Sequence, residues 1–180
     1  MKIKKGEKKV LFADLDGTLI DVINGSTSPF PRGIWDMSLK LYVLDAIKKM
    51  SPNIVCIVTN QGGIENGFVN EDNFVKGKMA YVCRAIAEYC GCDCTFKYCK
   101  SNDKANIDRK PNIGMLESFA REYFFNENVS KLKKSMLMIG DASGLEGQFS
   151  DSDKRTAENF GIDYMDVKDF VFNFLTDGEG

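Results

Sequence analysis

The chain has 180 residues, 43% of them apolar, the size of one domain able to bury about two-thirds of the surface its unfolded form exposes. Lys and Arg number 24 against 26 Asp and Glu, a net charge of −2, which excludes a protein that holds nucleic acid through its overall charge, though not a local basic patch. Histidine is absent, so His-based triads and His-rich metal sites are excluded, and proton transfer falls to carboxylates, Lys, Tyr or Cys.

The chain begins with a basic stretch carrying Lys2, Lys4, Lys5, Lys8 and Lys9, and residues 1–8 are read as a solvated, flexible end. The apolar run Val10-Leu11-Phe12-Ala13 is too short for a signal-peptide core or a membrane span and runs straight into Asp14, from which a soluble, cytoplasmic protein is expected. Strands are predicted at 9–13, 53–58, 94–99 and 136–139, with a last one at 163–167. Helices are predicted between them at 38–50, 70–90, 112–125 and 152–160. In the first helix Leu39, Tyr42, Val43, Ala46, Ile47 and Met50 share an apolar face and are expected in the core. Residues 25–31 form a turn-rich loop, and no repeat or linker divides the chain. A single doubly wound α/β domain over 1–180 is predicted. Cys83, Cys90, Cys92, Cys94 and Cys99 crowd one stretch and are expected as reduced thiols.

In a doubly wound fold the ligand sits beyond the carboxyl ends of the strands, and here those ends are polar. The first strand is followed by Asp14-Leu15-Asp16-Gly17-Thr18, the second by Thr59-Asn60-Gln61-Gly62-Gly63 and the fourth by Gly140-Asp141-Ala142-Ser143-Gly144, while the third runs on towards Arg109-Lys110-Pro111. Asp14 and Asp16 can project into one cleft, and Gly17 lets the backbone turn and present amides to an anion. The pattern suits phosphoryl transfer: an ionised Asp14 attacks phosphorus, and Asp16 exchanges a proton with the leaving oxygen and then with water. A phosphate dianion beside these carboxylates needs a compensating cation, so magnesium held by oxygen ligands is expected, with Asp141 as a further carboxylate. Thr59 can donate its hydroxyl to the phosphate, and Lys110 can neutralise a non-bridging oxygen. Thr18 and Asn60 either stabilise their turns or hydrogen-bond within the site.

Asp14-Leu15-Asp16-Gly17-Thr18-Leu19, Thr59, Lys110 and Gly140-Asp141 resemble, in order, the four motifs of the haloacid dehalogenase superfamily, over nearly the whole chain. Asp153, Ala157 and Gly161 match that superfamily's D-x-x-x-A-x-x-x-G spacing, after an insertion. The resemblance implies a Rossmann-like parallel sheet with minimal or no cap, an aspartyl-phosphate on Asp14, and metal ligation by Asp14, the Asp16 backbone carbonyl, Asp141 and Asp153. Within the superfamily the chain is most similar to the phosphatase domain of polynucleotide kinase 3′-phosphatases. That similarity rests on Thr59-Asn60-Gln61-Gly62-Gly63-Ile64, on Arg109-Lys110-Pro111 with Gly114-Met115, and on Gly140-Asp141-Ala142-Ser143-Gly144 with the stretch from Phe149-Ser150 to Gly161. Phe30-Pro31 and Asp36 also resemble the loop after the first motif. Ser26-Thr27-Ser28-Pro29 stands where the family commonly has S-G-K, and Gln148 replaces the Asp before Phe149. These departures bear on substrate contacts rather than on the chemistry.

The family resemblance implies removal of 3′-phosphates from DNA or RNA ends, as in DNA repair. Neither the stretch 20–58 nor 64–109 has room for a sizeable lid, and an open site favours a large substrate. Arg109 and Asn60 are the candidate substrate-binding residues, and Arg109, Lys104 and Lys100 can contact flanking phosphates. Lys76-Gly77-Lys78-Met79 is not a P-loop, lacking the leading Gly and the final Ser or Thr, so phosphorylation would fall to a separate kinase. Two other readings stay open. One is a small-molecule phosphatase similar to the histidinol-phosphate and heptose-bisphosphate branches, which often hold zinc just before the third motif, where Cys90, Cys92, Cys94 and Cys99 lie; the crowded C-x-C-x-C spacing weighs against zinc here. The other is a non-catalytic end-binding protein, against which the presence of both Asp14 and Asp16 weighs.

Overall fold

In the computed structural model, which describes residues 2–23, 25–125, 127–148 and 150–176, the unbroken apolar run of β1 (Val10–Ala13) lies at the centre of a parallel sheet, where both faces are covered. β4 (Ile54–Asn60) and β6 (Met136–Gly140) flank it, and β5 (Asp93–Cys99) and β7 (Asp163–Asp166) form the edges, in the order β5-β4-β1-β6-β7. Successive strand residues point to opposite faces, so two cores result. Leu11, Ala13, Val55, Ile57, Leu137 and Ile139 pack on one face with α1 (Leu41–Met50), α3 (Ala80–Cys90) and α7 (Val167–Leu175). Val10, Phe12, Cys56, Val58 and Met138 pack on the other with α4 (Gly114–Tyr123) and α6 (Ser152–Phe160). α2 (Gly62–Glu65) and α5 (Val129–Leu132) are single turns. The predicted fold class and the five strands of the sheet are as the apolar runs suggested.

Local signals were overridden where a distant partner was involved. The helix expected from residue 38 starts only at Leu41, because Met37–Leu39 is a strand, β3, antiparallel to β2 (Ile20–Val22). The core face of α1 shifts accordingly: Leu44 is buried and Tyr42 is half exposed. The long helix predicted at 70–90 contains a π-helical stretch, Asn73–Met79, before α3. α7 was not foreseen. Its cap, Asp166, accepts from the Lys168 N–H, and the predicted strand at 163–167 had absorbed that boundary. The basic N-terminal stretch makes specific contacts. Ile3 is buried and exchanges two backbone hydrogen bonds with the Asn173 side chain, and the buried Lys8 ammonium pairs with Asp163 and the Lys134 carbonyl. Met1, in the basic end, and Phe149, in the stretch that resembles the family, lie outside the described residues. No helix among the described residues is long and apolar enough to cross a membrane.

Candidate active site

Parallel register sets Ala13 beside Ile57 and Ile139, so the residues that follow these strands share one rim. Asp14, the first residue past β1, is nearly buried, and its Oδ1 receives the Lys110 ammonium at 2.5 Å. The same ammonium donates to Asp153 Oδ1 at 2.7 Å, and Asp153 Oδ2 accepts from the Ala142 N–H. Burial pushes the Asp14 carboxyl up; Lys110 opposes the shift and Asp153 adds to it, leaving the pKa at about 8. Burial works against the Lys110 charge, but Asp14 and Asp153 outweigh it and hold its pKa above the ordinary lysine value. Asp141, partly exposed on the loop after β6, is also pushed up, by burial and then by Asp153.

Carboxylate oxygens of Asp14, Asp141 and Asp153 all lie within 4.8 Å of one another. Two glycines allow this. A Cβ on Gly17, at φ +85°, would sit 2.1 Å from Asp141 Oδ2, and one on Gly140 would sit 2.2 Å from Asp153 Oδ2. Three convergent carboxylates with one ammonium bonded to two of them leave negative charge uncompensated, and an all-oxygen donor set of this kind fits a hard divalent cation.

Asp16 belongs to a second cluster. Its Oδ2 accepts from Gln61 Nε2 at 2.7 Å, and the same nitrogen donates to the buried Thr59 hydroxyl at 2.9 Å. Its Oδ1 accepts from Lys78 Nζ at 3.1 Å, and Lys78 also donates to the Pro31 carbonyl at 2.9 Å. Neither Gln61 nor Lys78 was singled out from the sequence as a site residue. The available signal was a lysine among Phe74, Met79 and Val82, at core spacing on a helix where a charged group needs a partner.

Asn60 brackets the Lys110 backbone, accepting from its N–H and donating to its carbonyl, so both polar ends of its side chain are engaged there. The Thr18 hydroxyl is 3.4 Å from Asp141 Oδ1. Arg109 folds back to donate to the Ser101 carbonyl, Lys100 pairs with Glu71, and Lys104 is exposed. Gln148 accepts from the N–H groups of Ser143 and Leu145 and donates to Asp166, so this departure from the family pattern organises the loop after β6. Cys83 and Cys94 are hydrogen-bonded to each other, but no three thiols converge: Cys90 turns to the Leu44 carbonyl and Cys99 to that of Ser101. Among the described residues, the one group of three or more acids or thiols close enough to share a metal is Asp14, Asp141 and Asp153.

Comparison with known proteins agrees with this geometry. Residues 9–171 match the family described as Polynucleotide kinase 3 phosphatase. The chain is 30% identical over 171 residues to the bifunctional polynucleotide phosphatase/kinase of Schizosaccharomyces pombe, a match over 94% of this chain and 38% of that protein. It is 39% identical over 61 residues to the polynucleotide 3′-phosphatase of Saccharomyces cerevisiae, covering 31% of this chain and 26% of that one. The chain thus spans well under half the length of these curated relatives. Its fold is similar to that of a putative haloacid dehalogenase-like phosphatase of Mesorhizobium loti, with a TM-score of 0.61 at 18% identity over 100% of this chain and 92% of that one. It is also similar to the D,D-heptose 1,7-bisphosphate phosphatase of B. bronchiseptica solved with magnesium and phosphate, with a TM-score of 0.63 at 22% identity over 87% and 78% of the two chains. A family match over most of the chain, on a fold whose strand ends gather these acids around a buried lysine, shows that the chain belongs to the polynucleotide kinase 3 phosphatase family.

Proposed function

We propose that this chain is a magnesium-dependent phosphomonoesterase that works through an aspartyl-phosphate on Asp14 and removes 3′-phosphates from DNA or RNA ends. The observation that carries the reading is the convergence of Asp14, Asp141 and Asp153, with Lys110 between two of them, at the carboxyl ends of β1 and β6. Asp14 attacks phosphorus: its O–P bond forms as the bond to the 3′ oxygen breaks, and protonated Asp16 gives that oxygen its proton. Asp16 then takes a proton from a water whose oxygen attacks the same phosphorus. The bond to Asp14 breaks, inorganic phosphate leaves and both aspartates are restored. The Lys110 ammonium and the Thr59 hydroxyl would bind non-bridging oxygens as charge develops on them.

Asp14, Asp141 and Asp153 would hold the magnesium ion, together with the Asp16 backbone carbonyl that the family resemblance implies. When bound, the ion compensates the charge that otherwise keeps a phosphate dianion away from these carboxylates. The choice of a nucleic-acid 3′ end is supported by the family match and by the names of the two relatives. A short ribbon, β2 with β3, between β1 and α1 is consistent with an open mouth that admits a polymer end.

The test is a panel of phosphoesters, with and without magnesium: 3′-phosphorylated DNA and RNA oligonucleotides, single- and double-stranded, against nucleoside monophosphates and sugar phosphates. We expect magnesium-dependent release of phosphate with kcat/KM highest on an oligonucleotide 3′-phosphate. Equal or better turnover of the small esters sinks the nucleic-acid assignment in favour of a small-molecule phosphatase. Tight binding of the oligonucleotide end with no turnover of any ester points to a non-catalytic end-binding protein.

A further inference from the structure

Lys78 takes no part in the reaction proposed above, yet it is 1% exposed and its ammonium reaches into the site. Taking an ammonium out of water is costly unless partners compensate, and a whole buried ion pair can often be exchanged for well-packed apolar groups, whereas removing one partner leaves the other unpaired. Around Lys78 an apolar residue would suit the packing, since Phe74, Met79, Val82 and Ile86 on the same helical run all lie in the core. What the ammonium has instead are two oxygen partners far apart in sequence, Asp16 Oδ1 at 3.1 Å and the Pro31 carbonyl at 2.9 Å, with the Phe74 ring 5.7 Å away. The helix is π-helical over Asn73–Met79, the kind of local irregularity that re-aims a side chain and recurs at functional sites.

The two partners belong to different parts of the site. Asp16 follows β1, whereas Pro31 lies between β2 and β3, in a loop that Asp36 holds by accepting from the N–H groups of Arg32 and Gly33. With Gln61 on Oδ2 and Lys78 on Oδ1, both oxygens of Asp16 are held as acceptors, so its direction is set from two sides.

We propose that Lys78 is a positioning residue for the acid–base step, its ammonium tying the Asp16 carboxyl group to the Pro31 loop so that proton delivery to the leaving oxygen depends on that loop being in place. The inference rests on the proposed phosphatase mechanism with Asp16 as acid and base. It separates Lys78 from Lys110, which bears on the reacting phosphate itself.

The experiment compares two esters with the magnesium-loaded enzyme. A 3′-phosphorylated oligonucleotide has an alkoxide leaving group that needs a proton, whereas p-nitrophenyl phosphate has one that departs without help. Wild type is measured first on both: no turnover of either fails the underlying mechanism rather than the role of Lys78. Lys78→Met keeps the bulk of the side chain and removes both bonds. Its single-turnover rate on the oligonucleotide is expected to fall by about 10- to 100-fold, with KM within about threefold, while the first-turnover burst of p-nitrophenol stays within about threefold of wild type. Amides of the 25–36 loop should at the same time exchange hydrogen faster than in wild type. An equal loss on both esters, or no loss on the oligonucleotide, overturns the proposal, as does unchanged exchange in the loop. Should Lys78→Met not fold, Lys78→Gln, which retains one donor, carries the same comparison: a loss confined to the oligonucleotide supports the role, and an equal loss or none overturns it.

Discussion

The site contains two buried lysines that do different work for neighbouring carboxylates. Lys110 lies between Asp14 and Asp153 at 2.5 and 2.7 Å, in a cluster that also includes Asp141. Lys78 holds Asp16 and a backbone carbonyl, with an amide, Gln61, on the other carboxylate oxygen. The first cluster is rich in negative charge and leaves room for a further cation; the second matches one ammonium to one carboxylate and is filled out by neutral dipoles. Two aspartates separated by one residue thus have different surroundings, and in the mechanism proposed above it is these surroundings, rather than residue type, that would divide the tasks of nucleophile and proton carrier.

Substitutions on the Lys110 side should give the largest effects. Asp14→Asn is expected to lower turnover by at least about 10⁴-fold, since the amide cannot form the acyl phosphate, with the fold intact by circular dichroism. Retained activity would remove the distinction between the clusters altogether. Lys110→Met leaves Asp14 and Asp153 facing each other without their ammonium. It should cost about 10³-fold in turnover and about 3–5 kcal/mol in metal-free unfolding titrations with urea, part of the latter recovered by magnesium. A variant as stable as wild type without metal would mean that the carboxylate cluster does not need its cation. Gly17→Ala pushes a methyl group into Asp141 and puts a side chain at φ +85°, so the magnesium concentration for half-maximal activity should rise about tenfold or more, with some loss of stability from the strained turn.

The smallest effect sharpens the comparison through pH. The folded-state pKa of Asp14, about 8, lies above its ordinary value of 3.8, so the folded protein binds that proton more tightly than the unfolded chain. The group is stability-neutral below about pH 4 and increasingly destabilising as pH rises from there towards about 8. Asp14→Asn should therefore raise the melting temperature of the metal-free protein at pH 7.5, and the gap should close on acidification towards pH 4. Magnesium should narrow it as well. A melting temperature difference that is flat in pH would show that burial does not strain the Asp14 carboxylate.

How far the site was legible in the sequence follows the same division. Asp14, Asp16, Thr59 and Asp141 stand at or just past the ends of apolar strand runs, and parallel strands bring those ends to one rim, so their grouping could be read from the chain alone, whereas Lys110 lies on the loop well past β5 and was legible through the order of the motifs. Asp153 was legible only through spacing. Asn60 was legible as a site neighbour, but its bonds to the Lys110 backbone depend on a loop fifty residues away along the chain. Lys78 was passed over as part of a stretch that failed to make a P-loop, and its partner Asp16 is 62 residues distant.

By itself the sequence determined the class of sheet, the carboxylate pair and the general chemistry, because these rest on short-range signals: continuous apolar strands, polar residues directly after them and glycines where the chain must turn. Only the tertiary structure decided that Met37–Leu39 pairs with β2 rather than extending α1, that the N-terminal stretch docks through Ile3 and Lys8, and that a core lysine turns to Asp16. Each of these is settled by a partner far along the chain, since a buried charge or an unpaired strand edge is tolerated only where another element supplies its hydrogen bonds.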